Sequence, residues 1–106
     1  MADVKKLIAE IADDREFAQA AAVVDLVREV GDMLQRMRTR AGLTQVQLAE
    51  RLDISAGRVS QLESGMLRHA PSLKTIAQFA TACGETVEMA SSKEKAMPLR
   101  AGVRAS

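Results

Sequence analysis

Five residues on a short patterned segment, Ala56, Gly57, Arg58, Ser60 and Gln61, leave a helix face with hydrogen-bond donors and no bulky apolar group. Such a face can enter a groove and donate to phosphates or to base edges; it is poorly equipped to move protons. His69 is the one histidine of the 106 residues, and no Ser/His/Asp or paired-carboxylate arrangement stands out, so acid–base catalysis has little to work with. Cys83 is the one cysteine; it excludes an intrachain disulfide and, without clustered histidines, gives no zinc site. The expectation is a protein that binds, with no enzymatic activity, metal or cofactor.

The net charge of +1 hides an uneven distribution. Residues 1–35 carry four basic and eight acidic side chains, whereas residues 36–74 carry seven basic and three acidic ones, mostly arginine among the cations. An arginine-dominated middle is what a phosphate-facing surface needs. The N-terminus lacks an apolar signal core, and no run approaches the roughly 18 apolar residues of a spanning helix. A cytoplasmic, nucleoid-associated protein is the expected setting.

The elements that position these groups follow from patterning. Apolar residues are 47% of the chain and aromatic ones 2%, so the core must be aliphatic and methionine-rich, which suits packed helices. Val4, Leu7, Ile8 and Ile11 share one face of a short helix over residues 3–12. Asp13 and Glu16 offer a capping-box-like start, and the apolar pattern then runs from Phe17 through Val23, Leu26, Val27, Val30, Met33, Leu34 and Met37 to about Arg40, with Gly42 as the stop. Residues 44–65, TQVQLAERLDISAGRVSQLESG, hold two short helices capped by Thr44 and Ser55 and ended near Asp53 and Gly65. A connection of about three residues forces them to cross steeply. Val46, Leu48, Ala49 and Leu52 supply apolar contacts from the first, and Val59 and Leu62 anchor the second from behind. Ser72 opens a fourth helix with Leu73, Ile76, Ala77 and Ala80 on one face and Gly84 at its end. Thr86, Val87, Glu88 and Met89 look like a short strand, which either pairs with its twin in a second subunit or is an extended tail.

The stretch from about Leu34 to Gly84 resembles the helix-turn-helix family of the phage Cro and lambda repressors, often called the xre family. The match is carried by Arg38, Ala41-Gly42-Leu43-Thr44-Gln45, Leu48-Ala49, Ile54-Ser55, Val59-Ser60-Gln61-Leu62-Glu63, Gly65 and the Leu73-to-Gly84 helix. The resemblance implies an all-α, lambda-repressor-like bundle: an N-terminal helical extension over residues 1–22, a helix-turn-helix domain over 23–90 with a short C-terminal dimerisation strand, and a disordered tail over 91–106. It also implies roles. Thr44 and Gln45 would meet phosphate at a helix N-terminus. Ala56, Gly57, Arg58 and Gln61 fall on base-reading positions, where Arg58 suits guanine and Gln61 adenine. Arg68 and His69 would lie near backbone phosphates, and Arg38 and Glu63 would form an ion pair joining the first helix to the recognition helix. Two departures bear on readout: Asp53 stands at a turn where glycine is common, and Ala56 and Gly57 are small for base readers, which shifts weight to Arg58, Gln61 and DNA shape.

Within that family the chain is most similar to antitoxins of the HigA type, through Asp14-Arg15-Glu16-Phe17-Ala18 ahead of the motif. That similarity implies a small RelE-like toxin as partner; the related HipB type, which dimerises through a C-terminal strand, implies a homodimer on a palindromic operator paired through residues 86–90, with the fourth helix and the N-terminal helices as the other candidate dimer surfaces. The acidic N-terminal region, with Val4, Leu7, Ile8 and Ile11, would suit a basic partner; the same stripe could equally cover the domain's own core or serve the dimer. A stand-alone regulator shares most of these features, and an interaction module that has kept the fold but does not bind DNA is the third reading.

Overall fold

The computed structural model describes residues 14–67 and 69–93. Four helices follow one another: α1 (Asp14–Arg40), α2 (Gln45–Leu52), α3 (Ala56–Ser64) and α4 (Leu73–Ala82). The described residues form an all-α bundle with an isolated bridge at Val87 as their only β feature, and none of these helices is long and apolar enough to cross a membrane. The helix expected over residues 3–12, with Val4, Leu7, Ile8 and Ile11, falls outside the described residues, as do Arg68 and the residues beyond Lys93. One unbroken helix runs across position 22.

Local chemistry sets the helix ends. Thr44 caps α2 through a full capping box: its hydroxyl accepts from Gln47 N at 3.1 Å while its own N–H donates to Gln47 Oε1 at 2.9 Å. Ser55 and Ser72 accept from Arg58 N and Thr75 N in the same way. Gly42 follows α1 with φ of 72° and Gly65 closes α3 with φ of 68°, conformations where a Cβ would be strained.

The core is built by the C-terminal half of α1 with the inner faces of the other three helices. Met33, Leu34, Met37, Leu48, Val59 and Phe79 have no exposed surface. The apolar pattern of α1 is used from Val30 onward; its earlier members Val23 and Leu26 are 58% and 47% exposed, because α2, α3 and α4 cover only the second half of this 27-residue helix. Three expectations are corrected likewise. Val46 points outward, 57% exposed. On α4, Leu73 and Ala77 are exposed, and Ile76, Phe79 and Ala80 form the buried face. The segment Thr86–Met89 makes no regular strand; a strand needs a ladder partner, and this segment instead turns Val87 onto the core.

The crossing of α1 and α3 is very close. A Cβ on Gly31 would lie 2.7 Å from the Glu63 carbonyl oxygen and 3.1 Å from that of Leu62, and one on Gly65 would lie 2.9 Å from Arg28 Cα. These obstacles are backbone, so they cannot swing aside. Alanine is the better helix former by about 1 kcal/mol, but overpacking costs about 1–3 kcal/mol, and here the clash should win. Gly31→Ala is therefore expected to lower the unfolding free energy by about 1–2 kcal/mol in a urea titration. A variant as stable as the parent would show that the helices can separate without loss.

Candidate nucleic-acid interface

The α2–turn–α3 unit owes its angle to Asp53. This residue sits at φ 56° and ψ 45°, the one non-glycine residue with positive φ among those described. Its N–H donates to Glu50 O at 3.3 Å, and Ile54 N donates to Ala49 O at 3.1 Å, which stops α2 and redirects the chain within two residues. The left-handed conformation costs an ordinary residue about 1–2 kcal/mol, and Asp is one of the few that visits it. Ala49, 3% exposed, is small enough to let α3 cross close behind.

Burial of Val59 and Leu62 then fixes which way α3 faces. Gly57, Arg58, Ser60 and Gln61 are all exposed on it. Ala56 differs from its expected role: it is half-buried and packs against the core, so at that position only a methyl group and backbone remain for a groove. Thr44 is exposed at the start of α2, and His69 is exposed in the α3–α4 connection.

Behind this face a polar network joins three elements. Arg38 of α1 grips the Glu63 carboxylate of α3 with two hydrogen bonds, Nε to Oε2 at 2.6 Å and Nη2 to Oε1 at 3.0 Å. Arg38 Nη1 also donates to the Leu43 carbonyl at 2.8 Å. Glu63 is 6% exposed, so this fork of donors is what makes its burial tolerable. The hydrogen bond to Glu63 raises the Arg38 pKa above its ordinary value, against the opposing effect of burial, and the guanidinium stays charged throughout the accessible pH range. Gln45, expected at phosphate, is half-buried, and its Nε2 donates to Glu63 Oε1 at 3.3 Å. One of its amide hydrogens is thus committed to holding the N-terminus of α2 against α3.

Two further ties were not expected from the sequence. Arg40 forks onto Glu85 through Nε to Oε2 at 3.0 Å and Nη2 to Oε1 at 2.7 Å. Arg51 Nη1 donates to the Ala82 carbonyl at 3.1 Å, joining α2 to the end of α4. The only forerunner of either contact in the sequence is a basic residue near a helix end, which many unrelated positions share. Cys83 is half-buried against the core, and burial pushes its thiol pKa up, the wrong direction for a nucleophile or metal ligand at neutral pH.

Of the residues expected to pair two copies, Val87 is half-buried, while Thr86, Glu88 and Met89 are exposed. Val87 and Met89 line an apolar depression of about 120 Å³ together with Leu26, Val30, Leu73 and Ile76.

The arrangement is two capped helices joined by a three-residue turn, the second locked from behind and bare in front. Residues 29–91, more than half of the chain, match the model of the helix-turn-helix domain family. No curated protein and no solved structure matches the chain.

Proposed function

The chain belongs to the helix-turn-helix domain family, and from that footing we propose that it is a DNA-binding transcriptional repressor that inserts α3 into the major groove of an operator. The observation that carries this reading is the exposed run Gly57, Arg58, Ser60 and Gln61 on a helix whose opposite side is buried. Arg58 donates bidentately to guanine and Gln61 pairs with adenine, while the absence of a side chain at Gly57 lets the backbone approach the bases. Thr44, Gln45, Arg68 and His69 contact phosphates on either side. The test is a titration of the chain into a duplex covering the region upstream of its gene, against a scrambled duplex, at several salt concentrations. Preference for the upstream duplex, with affinity falling on a log–log salt plot by about 0.9 per phosphate contacted, is the expected result. Equal, weak binding to both would refute sequence-specific repression.

The active form is a homodimer on a palindromic site. One copy offers few base-reading side chains, since Ala56 and Gly57 supply no donor, and a second copy one DNA turn away, about 34 Å, doubles the readout. The copies meet through Thr86–Met89 and the apolar surface beside it, where Leu73 and Met89 are 68% and 61% exposed. Leu73→Glu combined with Met89→Glu is expected to give a folded monomer in equilibrium sedimentation; an undiminished dimer would exclude this surface.

The finer reading is an antitoxin that represses its own operon and binds a small basic RelE-like toxin through Val4, Leu7, Ile8 and Ile11. It is supported by the acidic first 35 residues, four basic against eight acidic side chains, and by that apolar stripe. Co-purification of a basic protein encoded beside this gene, lost on deleting residues 1–12 with DNA binding retained, is the expected outcome. A chain that represses with no such neighbour is a stand-alone regulator.

A further inference from the structure

A second basic surface lies beside the recognition helix. A trough of about 720 Å³ runs between α4 and the α2–α3 turn, lined by Arg51, Arg58 and Lys74 with Thr75, Gln78 and Thr81 among its polar groups. Among the described residues no aspartate or glutamate lines it, although acidic residues nearly equal basic ones in the whole chain. Arg51 is held there by its hydrogen bond to Ala82 O. Arg58 and Lys74 are exposed, and their side chains have no hydrogen-bond or ion partner among the described residues. Three cations thus face one open channel that no carboxylate among the described residues lines.

We propose that this trough is a phosphate-binding surface that seats a stretch of DNA backbone along α4, outside the helix-turn-helix unit itself. The proposal rests on the DNA-binding reading above and extends its footprint. Two features favour a polymer backbone as the occupant. The trough is continuous with the reading face, because Arg58 stands both on its rim and in the first turn of α3. It also follows α4, whose ten residues extend for about 15 Å. One strand of duplex DNA carries a charge every 3.4 Å or so along the axis, so about four phosphates pass that length. Lys74 supplies a point charge to this strand, Thr75 and Gln78 supply neutral donors, and none of the three reads a base.

The roles of Lys74 and of the α3 face are separable by experiment. Full-length chain carrying Lys74→Ala is titrated into the upstream and scrambled duplexes from 50 to 200 mM salt, with Lys74→Arg and, as a control on α3 outside the trough, Gln61→Ala in parallel. Lys74 is exposed at the start of α4, so alanine there should leave the urea midpoint unchanged. The expected result is a salt slope shallower by about 0.9, so that the loss of affinity across this salt range shrinks about threefold. Binding should weaken by the same factor on both duplexes, and Lys74→Arg should restore it. An unchanged slope and affinity for Lys74→Ala, while Gln61→Ala lowers the preference for the upstream duplex, would overturn the proposal and leave the reading of α3 standing. A Lys74→Ala variant that loses discrimination between the duplexes would overturn it too, by making Lys74 a base reader. Failure of the parent chain to bind either duplex would overturn both readings.

Discussion

Replacing Arg38 by alanine should cost about 3 kcal/mol of stability, the largest loss expected from any single polar substitution here. The reason is asymmetric. Arg38 is itself partly exposed, with 14% of its side-chain surface accessible, whereas the Glu63 side chain is 4% accessible. Removing the guanidinium takes away both donors of the fork and strands a buried carboxylate whose remaining neighbour is the 3.3 Å contact from Gln45. The Leu43 carbonyl, at the start of the turn into α2, loses its donor as well. Urea unfolding checks the magnitude, and a loss below about 0.5 kcal/mol would place this pair with ordinary surface ion pairs. Replacing both partners, Arg38→Met with Glu63→Leu, should recover much of the loss, since an apolar pair of similar shape needs no desolvated charge. The double variant also tests whether the pair matters for function beyond stability. Without Glu63, Gln45 has no acceptor on α3, and the entry of α2 is held by packing and the Thr44 cap alone.

The second large effect concerns recognition. Arg58→Ala and Gln61→Ala should each cost about 1–3 kcal/mol of discrimination between the correct and a wrong base pair. Together they are expected to reduce the preference for operator over scrambled duplex by about a hundredfold. Binding to the scrambled duplex should fall much less, since the phosphate contacts proposed for Thr44, at the cap of α2, and for Lys74, on α4, would remain. Both side chains are exposed and both positions lie on the outer face of α3, so the variants should unfold at the parent midpoint. Competition binding with the two duplexes measures the ratio directly. An unchanged ratio in the double variant would remove α3 from the reading role, whatever the overall affinity.

The parts of this architecture that were legible from residues alone are those decided locally. Thr44, Ser55 and Ser72 announce helix starts because a side-chain oxygen next to an apolar repeat satisfies free N–H groups within three residues. Gly42, Gly65 and Gly84 mark positive φ because few other residues tolerate it. Asp53 adopts the left-handed turn despite its Cβ, and its position between two capped helices was enough to place it. What stayed hidden depends on partners distant in sequence. Val23, Leu26, Val46 and Leu73 all fit an apolar stripe, yet periodicity reports which residues share a face, not whether another element covers it. Gly31 reads as a weak point inside a helix until α3 is seen lying against it at the Glu63 carbonyl. Thr86–Met89 has the composition of a strand, and no composition can supply the ladder partner that a strand requires. Within the candidate site, the outer face of α3 was readable from its caps and its buried pair. The trough was not, because it joins Arg51, Arg58 and Lys74 across three helices.

Amide chemical-shift mapping of the isotopically labelled chain, titrated with its preferred duplex, decides whether the exposed face of α3 meets the edges of duplex DNA. The largest perturbations are expected at Gly57, Arg58, Ser60 and Gln61, with smaller ones at Thr44 and along the outer side of α4, and little change at Val30 or Met33. Perturbations centred on the exposed half of α1 or on Leu73 and Met89, with α3 silent at saturating duplex, would contradict that contact.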